Sequence, residues 1–298
     1  MKTAYLFPGQ GAQYTGMGKD LYDQHSLAKE LFTEADEVLG FELSKIMFEG
    51  SDEELKRTSV TQPAIYVHSV VLAQLMEVKG KASMMAGHSL GEFSALAAAG
   101  VFSFQAGLQL VKIRANAMQQ ACDATPSTMA ALVGLEDAVV EQLCQEIGNV
   151  VPANYNSPGQ LVVSGSVESI QIIIEQAKSA GAKMAVPLQV GGAFHSPFME
   201  PAKVALAKSI QDTEFLTPVC PIYQNVTGKG EQDPAQIQRN LIAQLTAPVL
   251  WTQTIQQMIL DGVTECIEIG PGKVLQGLVK RIDRSIPATG FQTLPIPS

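Results

Sequence analysis

Short apolar runs alternate with longer amphipathic stretches from the first residues onward, and few folds accept such a chain. A strand covered on both faces reads as a continuous apolar run, while a covering helix repeats every 3.6 residues. Repeated strand and helix units therefore build a mainly parallel sheet with helices packed on it, an α/β class. The sequence predicts a strand over 2–7, a helix over 26–39, a helix over 63–78 opened by Pro63, and a buried strand over 83–86. Helices follow over 91–99 and 103–121, the second capped by Ser103 and carrying Leu108, Val111, Ala115 and Met118 on one stripe.

Between about 126 and 190 the order changes. Strand 128–133, helix 136–147, strands 150–155 and 160–165, helix 167–180 and strand 184–190 give the β-α-β-β-α-β order of a ferredoxin-like unit. Asn156-Ser157-Pro158-Gly159 supplies the turn between the central strands, and Gly181 ends the second helix. A small domain inserted into a larger one is the expected organisation. After it come helices near 197–211, 235–245 and 251–261, strand 264–269, then Gly270-Pro271-Gly272 and a last helix.

With 298 residues, 46% of them hydrophobic, the chain can bury a large core. A formal charge of −9 argues against non-specific nucleic-acid binding, which needs a surplus of Lys and Arg. The cluster Lys280, Arg281 and Arg284 reads either as a dock for an acidic partner or as a solvated helix face. Cys122, Cys144, Cys220 and Cys266 form no C-x-x-C pair and share no metal-ligand spacing with the histidines, so reduced thiols, no metal and a cytoplasmic location are expected. Pro8 and Gly9 interrupt the start of the chain before a signal-type apolar run, and no stretch approaches a membrane span, so no membrane association is expected.

The chemistry concentrates in Gly87-His88-Ser89-Leu90-Gly91, a G-x-S-x-G between the apolar run Ser83-Met84-Met85-Ala86 and a helix. Such a turn lifts a serine hydroxyl out of the sheet and aims helix N-terminal N–H groups at developing negative charge. A serine needs a base to take its proton. Of the four histidines, His25 and His68 fall in helical stretches, and the side chain of His88 should diverge from its neighbour Ser89. His195 remains, in the loop Gly191-Gly192-Ala193-Phe194-His195-Ser196-Pro197. No Asp or Glu between Ser89 and His195 suits a triad, so a Ser-His dyad is expected, its imidazole oriented by another acceptor such as a backbone carbonyl.

Phe7-Pro8-Gly9-Gln10-Gly11 also follows a strand. It fails the dinucleotide pattern at Tyr14 and the Walker pattern at Gln13, but its N–H groups could complete an oxyanion hole with that of Leu90. Arg114, at the margin of an apolar stripe and so partly buried, reads either as a structural ion pair or as a fork for a substrate carboxylate.

Together these elements resemble the malonyl-CoA:acyl-carrier-protein transacylases and the related acyltransferase domains of fatty acid and polyketide synthases. The resemblance covers nearly the whole chain and includes Thr61-Gln62-Pro63-Ala64, Gly87-His88-Ser89-Leu90-Gly91-Glu92, Asn156-Ser157-Pro158-Gly159-Gln160, Asn225-Val226-Thr227-Gly228 and Glu268-Ile269-Gly270-Pro271-Gly272. It implies a large α/β-hydrolase-like domain at 1–124 and 191–298 and a small ferredoxin-like domain at 125–190. It further implies that Ser89 carries the acyl group, His195 is its base, and Gln10 and Leu90 supply the oxyanion-hole N–H groups. Arg114 would pair with the malonyl carboxylate, Phe194 would border the acyl group, and the Gln244 backbone carbonyl would orient His195. Malonyl-CoA and an acyl carrier protein are the implied partners of a monomer, and coenzyme A enters as part of a substrate, with no cofactor. Gly192 departs from relatives that carry a larger residue there, and its missing side chain is expected to loosen the pocket. A serine hydrolase using the same elbow, and a non-catalytic carrier-protein or coenzyme A binding module, are the rival readings.

Overall fold

The computed structural model describes residues 1–294. Its strands are β1 (Thr3–Phe7), β2 (Met84–Gly87), β3 (Ser127–Val133), β4 (Val150–Ser157), β5 (Gln160–Ser166), β6 (Met184–Pro187), β7 (Ile222–Tyr223), β8 (Gly230–Glu231), β9 (Glu265–Ile269) and β10 (Ala288–Phe291). One sheet has the order β10-β9-β1-β2-β7-β8, parallel throughout except for the β7–β8 pair. The apolar runs of β1 and β2 follow from burial on both faces. Tyr5, Phe7 and Met85 enter one core cluster, while Ala4, Leu6, Met84 and Ala86 enter the cluster on the other face. The first cluster packs against the helices Ser26–Leu39, Thr58–Leu75 and Phe104–Ala124, and the second against Trp251–Leu260 and Val274–Ile282.

The second sheet, β4-β5-β3-β6, is antiparallel and has its own core, in which Val140 and Cys144 of helix Asp137–Ile147 and Ile170 and Ile173 of helix Val167–Ser179 meet Leu132, Leu161 and Val163. It is tied to the rest of the chain where Tyr155 N–H donates to the Val249 carbonyl at 2.9 Å and Val249 N–H to that of Ala153 at 2.8 Å.

Several expectations need correction. The helix predicted to open at Pro63 begins five residues earlier, at Thr58, and contains the proline; the Thr61 hydroxyl donates to the Leu55 carbonyl beside that first turn. Pro63 lies just beyond the first turn, so the interior bond it removes is confined to the start of the helix. The strand expected over 184–190 stops at Pro187. The short helices Lys19–Gln24, Leu43–Glu49 and Asp52–Lys56 and the strands β7, β8 and β10 were not foreseen, although Ser51 and Glu54 form a capping box legible in the sequence. Among the basic residues near the end, Arg281 Nη1 donates to Gln160 Oε1 at 2.5 Å, while Lys280 and Arg284 are exposed. Among the described residues no helix is long and apolar enough to cross a membrane, and no cluster of potential ligands could hold a metal ion.

Candidate active site

The site grows from the carboxyl ends of β1 and β2, the edge at which parallel sheets present ligands. Past Gly87 the chain turns sharply: His88 N–H still donates to Phe7 of β1 at 3.0 Å, and Gly91 N–H donates back to the His88 carbonyl at 2.9 Å. This bend leaves no room for side chains at its ends. A Cβ on Gly87 would lie 1.9 Å from the Gly91 carbonyl, and one on Gly91 would lie 2.1 Å from the Phe7 oxygen. Between them Ser89 is held at φ 53°, a left-handed conformation that costs about 1–3 kcal/mol in a residue with a side chain.

Ser89 Oγ meets His195 Nε2 at 2.7 Å. The other ring nitrogen, Nδ1, lies 2.9 Å from the Gln244 carbonyl and 3.2 Å from that of Ala247. Carbonyl oxygens only accept, so Nδ1 carries the proton and Nε2 is free to accept from the serine hydroxyl. Two carbonyls thus do the orienting that a carboxylate performs in a triad. His195 is itself at φ 56°, in a loop tied to the small sheet: Ala193 N–H donates to Ser127 Oγ at 3.1 Å, and Ser164 Oγ to the Phe194 carbonyl. Burial, together with the neighbouring Arg114 charge, pushes the His195 pKa down to about 3.

Arg114 is only 1% exposed, deeper than the partial burial expected from its place at the edge of a stripe. Its Nη2 donates to Ser89 Oγ at 3.0 Å and to Gln244 Oε1 at 3.2 Å, and its Nη1 donates to Gln62 Oε1 at 2.6 Å. Nε is buried with no partner among the described residues, and the guanidinium stands 5.6 Å from the Phe93 ring centre. Burial lowers its pKa to about 10, with the Glu92 charge opposing the shift, so it stays charged at neutral pH. No carboxylate among the described residues makes an ion pair with it. A buried guanidinium held by neutral acceptors retains the capacity to receive an anion.

These groups share a cavity of about 180 Å³ with Gln10, Leu90, Phe194 and the apolar side chains of Met118, Met129 and Val162. A groove of about 590 Å³ around Lys2, Tyr223 and Asp261 lies at the amino end of β1 and β2 and holds none of them. Leu90 precedes the first turn of helix Gly91–Ala98, and the N–H groups of Leu90 and Gln10 meet no protein acceptor among the described residues. Of the predicted site residues, Gln10, Ser89, Leu90, Arg114, Phe194 and His195 line this one cavity, while Gln244 is outside its lining and reaches the site through the carbonyl that accepts from His195 Nδ1.

The sequence reading overlooked several neighbours. His88, set aside as a base for Ser89, lines the same cavity, its Nε2 2.9 Å from Asn156 Oδ1. Gln62 and the Gln244 side chain, whose Nε2 donates to the Ser89 carbonyl at 3.0 Å, were also missed. Their only signal was membership in quoted motifs. The expectation for Gly192 is overturned: a Cβ there would lie 2.4 Å from Cys122 Sγ, so the cysteine fills the space and no looseness results.

Two deeply buried histidines carry a consequence for stability. His68 is driven down to about 4 by burial and His195 to about 3, both below the ordinary 6.5. The unfolded chain takes up protons that the folded one refuses. Stability is therefore full above pH 6.5 and lost as pH falls toward 4, by about 1.4 kcal/mol per pH unit for each histidine at the steepest. Urea midpoints measured from pH 7.5 to 5 should fall accordingly; a level midpoint across that range would contradict it.

The sequence matches the acyl transferase domain family over residues 4–292. It is 43% identical over 290 residues to the malonyl CoA-acyl carrier protein transacylase of Bacillus subtilis (strain 168), covering 96% of this chain and 92% of that protein. The structure resembles that of the acyl-carrier-protein-S-malonyltransferase of Bartonella henselae with a TM-score of 0.95 at 40% identity, covering 98% and 96% of the two chains. It also resembles a malonyl-transacylase solved in complex with a type II PKS acyl-carrier protein, with a TM-score of 0.94 at 39% identity, covering 99% and 97%.

Proposed function

Because the chain belongs to the acyl transferase domain family, we propose that it transfers malonyl groups from malonyl-CoA to an acyl carrier protein, supplying fatty acid or polyketide synthesis. One observation carries the mechanism: a single oxygen, Ser89 Oγ, lies within hydrogen-bond reach of both a neutral imidazole and a buried guanidinium.

Ser89 Oγ attacks the thioester carbonyl carbon while its proton passes to His195 Nε2. The carbonyl oxygen becomes an oxyanion facing the N–H groups of Leu90 and Gln10, each worth roughly 2.7–4 kcal/mol in the transition state. The tetrahedral intermediate collapses, the C–S bond breaks, and the departing coenzyme A sulfur takes the proton from the imidazolium. In the second half the phosphopantetheine thiol of the carrier gives its proton to His195 and its sulfur attacks the ester carbonyl; the C–Oγ bond then breaks and Ser89 Oγ takes the proton back from the imidazolium. The order is ping-pong, with the thioester as substrate and no cofactor. Arg114 binds the malonyl carboxylate, and Phe194 borders the acyl group.

The small unit, residues 125–190, reads as a ferredoxin-like domain from its strand order β4-β5-β3-β6 and its connectivity. The remainder, 1–124 and 191–298, of which 295–298 lie outside the described residues, reads as an α/β-hydrolase-like domain built around the elbow. Since Ser89, His195 and Arg114 all come from one chain, a monomer suffices, and a cytoplasmic place fits an enzyme serving carrier proteins.

Intact-mass measurement after mixing with malonyl-, methylmalonyl- and acetyl-CoA tests the reading, with the Arg114→Ala variant alongside. The parent protein should gain a malonyl mass and pass it to a carrier protein; rapid release of free malonate with the carrier ignored would favour a hydrolase. Arg114→Ala should lower malonyl use relative to acetyl by about 10²-fold, since a carboxylate left unpaired in a closed cavity is costly. An unchanged ratio would remove Arg114 from carboxylate binding.

A further inference from the structure

Resting on the reading of Ser89 as nucleophile, we propose that Asn225, itself braced by buried Glu92, is a positioning residue that clamps the strained serine turn in its reactive conformation. Asn225 follows β7, the neighbour of β2, two residues after the last paired position, Ala86 with Tyr223. Its side-chain amide continues the ladder beyond that last backbone pair. Asn225 Nδ2 donates to the Gly87 carbonyl at 2.7 Å, and Asn225 Oδ1 accepts from Ser89 N–H at 2.7 Å. One planar amide thus grips both flanks of His88 and fixes the peptide leading into the residue at φ 53°.

Glu92 fixes the clamp in turn. Its Oε2 accepts from the Asn225 backbone N–H at 2.8 Å and its Oε1 from Gln224 Nε2 at 3.0 Å, while Gln224 Oε1 accepts from Asn240 Nδ2 at 2.8 Å. Glu92, Gln224 and Asn225 are all fully buried. A buried carboxylate is retained only where donors compensate it, and here one of the donors is Asn225, the residue that holds the elbow. Asn225 does not line the cavity, so the clamp acts through Ser89 and not on the substrate.

The test compares Asn225→Ala and the near-isosteric Asn225→Asp with the parent protein. For each, kcat and KM for malonyl-CoA are normalised to titrated sites, and the rate at which a fluorophosphonate labels Ser89 is measured. Positioning predicts a loss of about 10²-fold in kcat and in labelling for the alanine variant, with KM within about threefold, because misplacing a reacting atom by about 1 Å is enough for such a loss. In the aspartate variant an ionised carboxylate can accept from Ser89 N–H but cannot donate to the Gly87 carbonyl; once protonated it can do both. That variant should therefore label slowly at pH 8 and recover toward the parent rate as pH falls to 6, a profile that loss of fold would not produce. Labelling rates within threefold of the parent for the alanine variant, or no pH-dependent recovery in the aspartate variant, would overturn the clamp. Labelling reports on the serine whatever acyl group the enzyme uses, so failure of malonyl transfer in the parent would count against the proposed function and not against the clamp.

Discussion

Replacing Ser89 with alanine is expected to lower malonyl transfer by about 10⁴-fold or more, because nothing else in the cavity can form the acyl ester. The fold should survive. Among the described residues the hydroxyl bonds only to His195 and Arg114, while the Ser89 N–H bond to Asn225 and the Ser89 carbonyl bond to Gln244 belong to the backbone and remain. Intact mass should show no malonyl adduct on the variant, and its urea midpoint should stay near that of the parent. Transfer at the parental rate by Ser89→Ala would mean that the acyl group passes without an ester on Ser89.

The second large effect is expected at His195. With the imidazole removed, no other side chain among the described residues that lies within hydrogen-bond reach of Ser89 Oγ can take its proton, since Arg114 is already a cation and donates to the same oxygen. His195→Ala should lose about 10³- to 10⁴-fold in kcat, at the upper end of what a positioned base supplies. Added imidazole should restore part of the rate, because the vacated space is bounded by the Gln244 and Ala247 carbonyls that held the native ring. The pH dependence has a definite sign. The base works when neutral, and burial beside Arg114 holds its pKa near 3, so parental kcat/KM should stay level as pH falls from 8 toward 5. Acid loss of activity in that range should coincide with unfolding, and an activity limb near pH 6.5 in fully folded protein would show that His195 is not so depressed.

The glycines of the elbow show how closely local sequence can dictate structure. Gly87 and Gly91 are demanded by contacts with backbone a few residues away or on the adjoining strand, so strand, tight turn and helix were all legible around Ser89. The order of strands and helices over 127–187 was equally readable, because its periodicities switch cleanly and its turn and helix-stop glycines sit where positive φ is needed, Gly159 at 70° and Gly181 at 96°. The edge strands β7 and β8 were not, since two residues each carry no periodicity. Arg114 was misjudged in burial because a helical stripe reveals one face only, whereas the helix Phe104–Ala124 is covered on its margin by the cavity wall as well.

By itself, the amino-acid sequence determined which residues could react: a serine in a glycine-bound turn, one histidine in a shaped loop, and an arginine beside an apolar stripe. These follow from steric limits and hydrogen-bonding capacity that act over a few residues of chain. Only the tertiary structure decided what those residues are worth together. The pairing of Ser89 with His195 spans 106 positions, that of Arg114 with Gln244 spans 130, and that of Asn225 with Gly87 spans 138. Distances of this kind are set by how the sheets and helices bury their apolar faces against each other, a property of the whole core that no local pattern encodes.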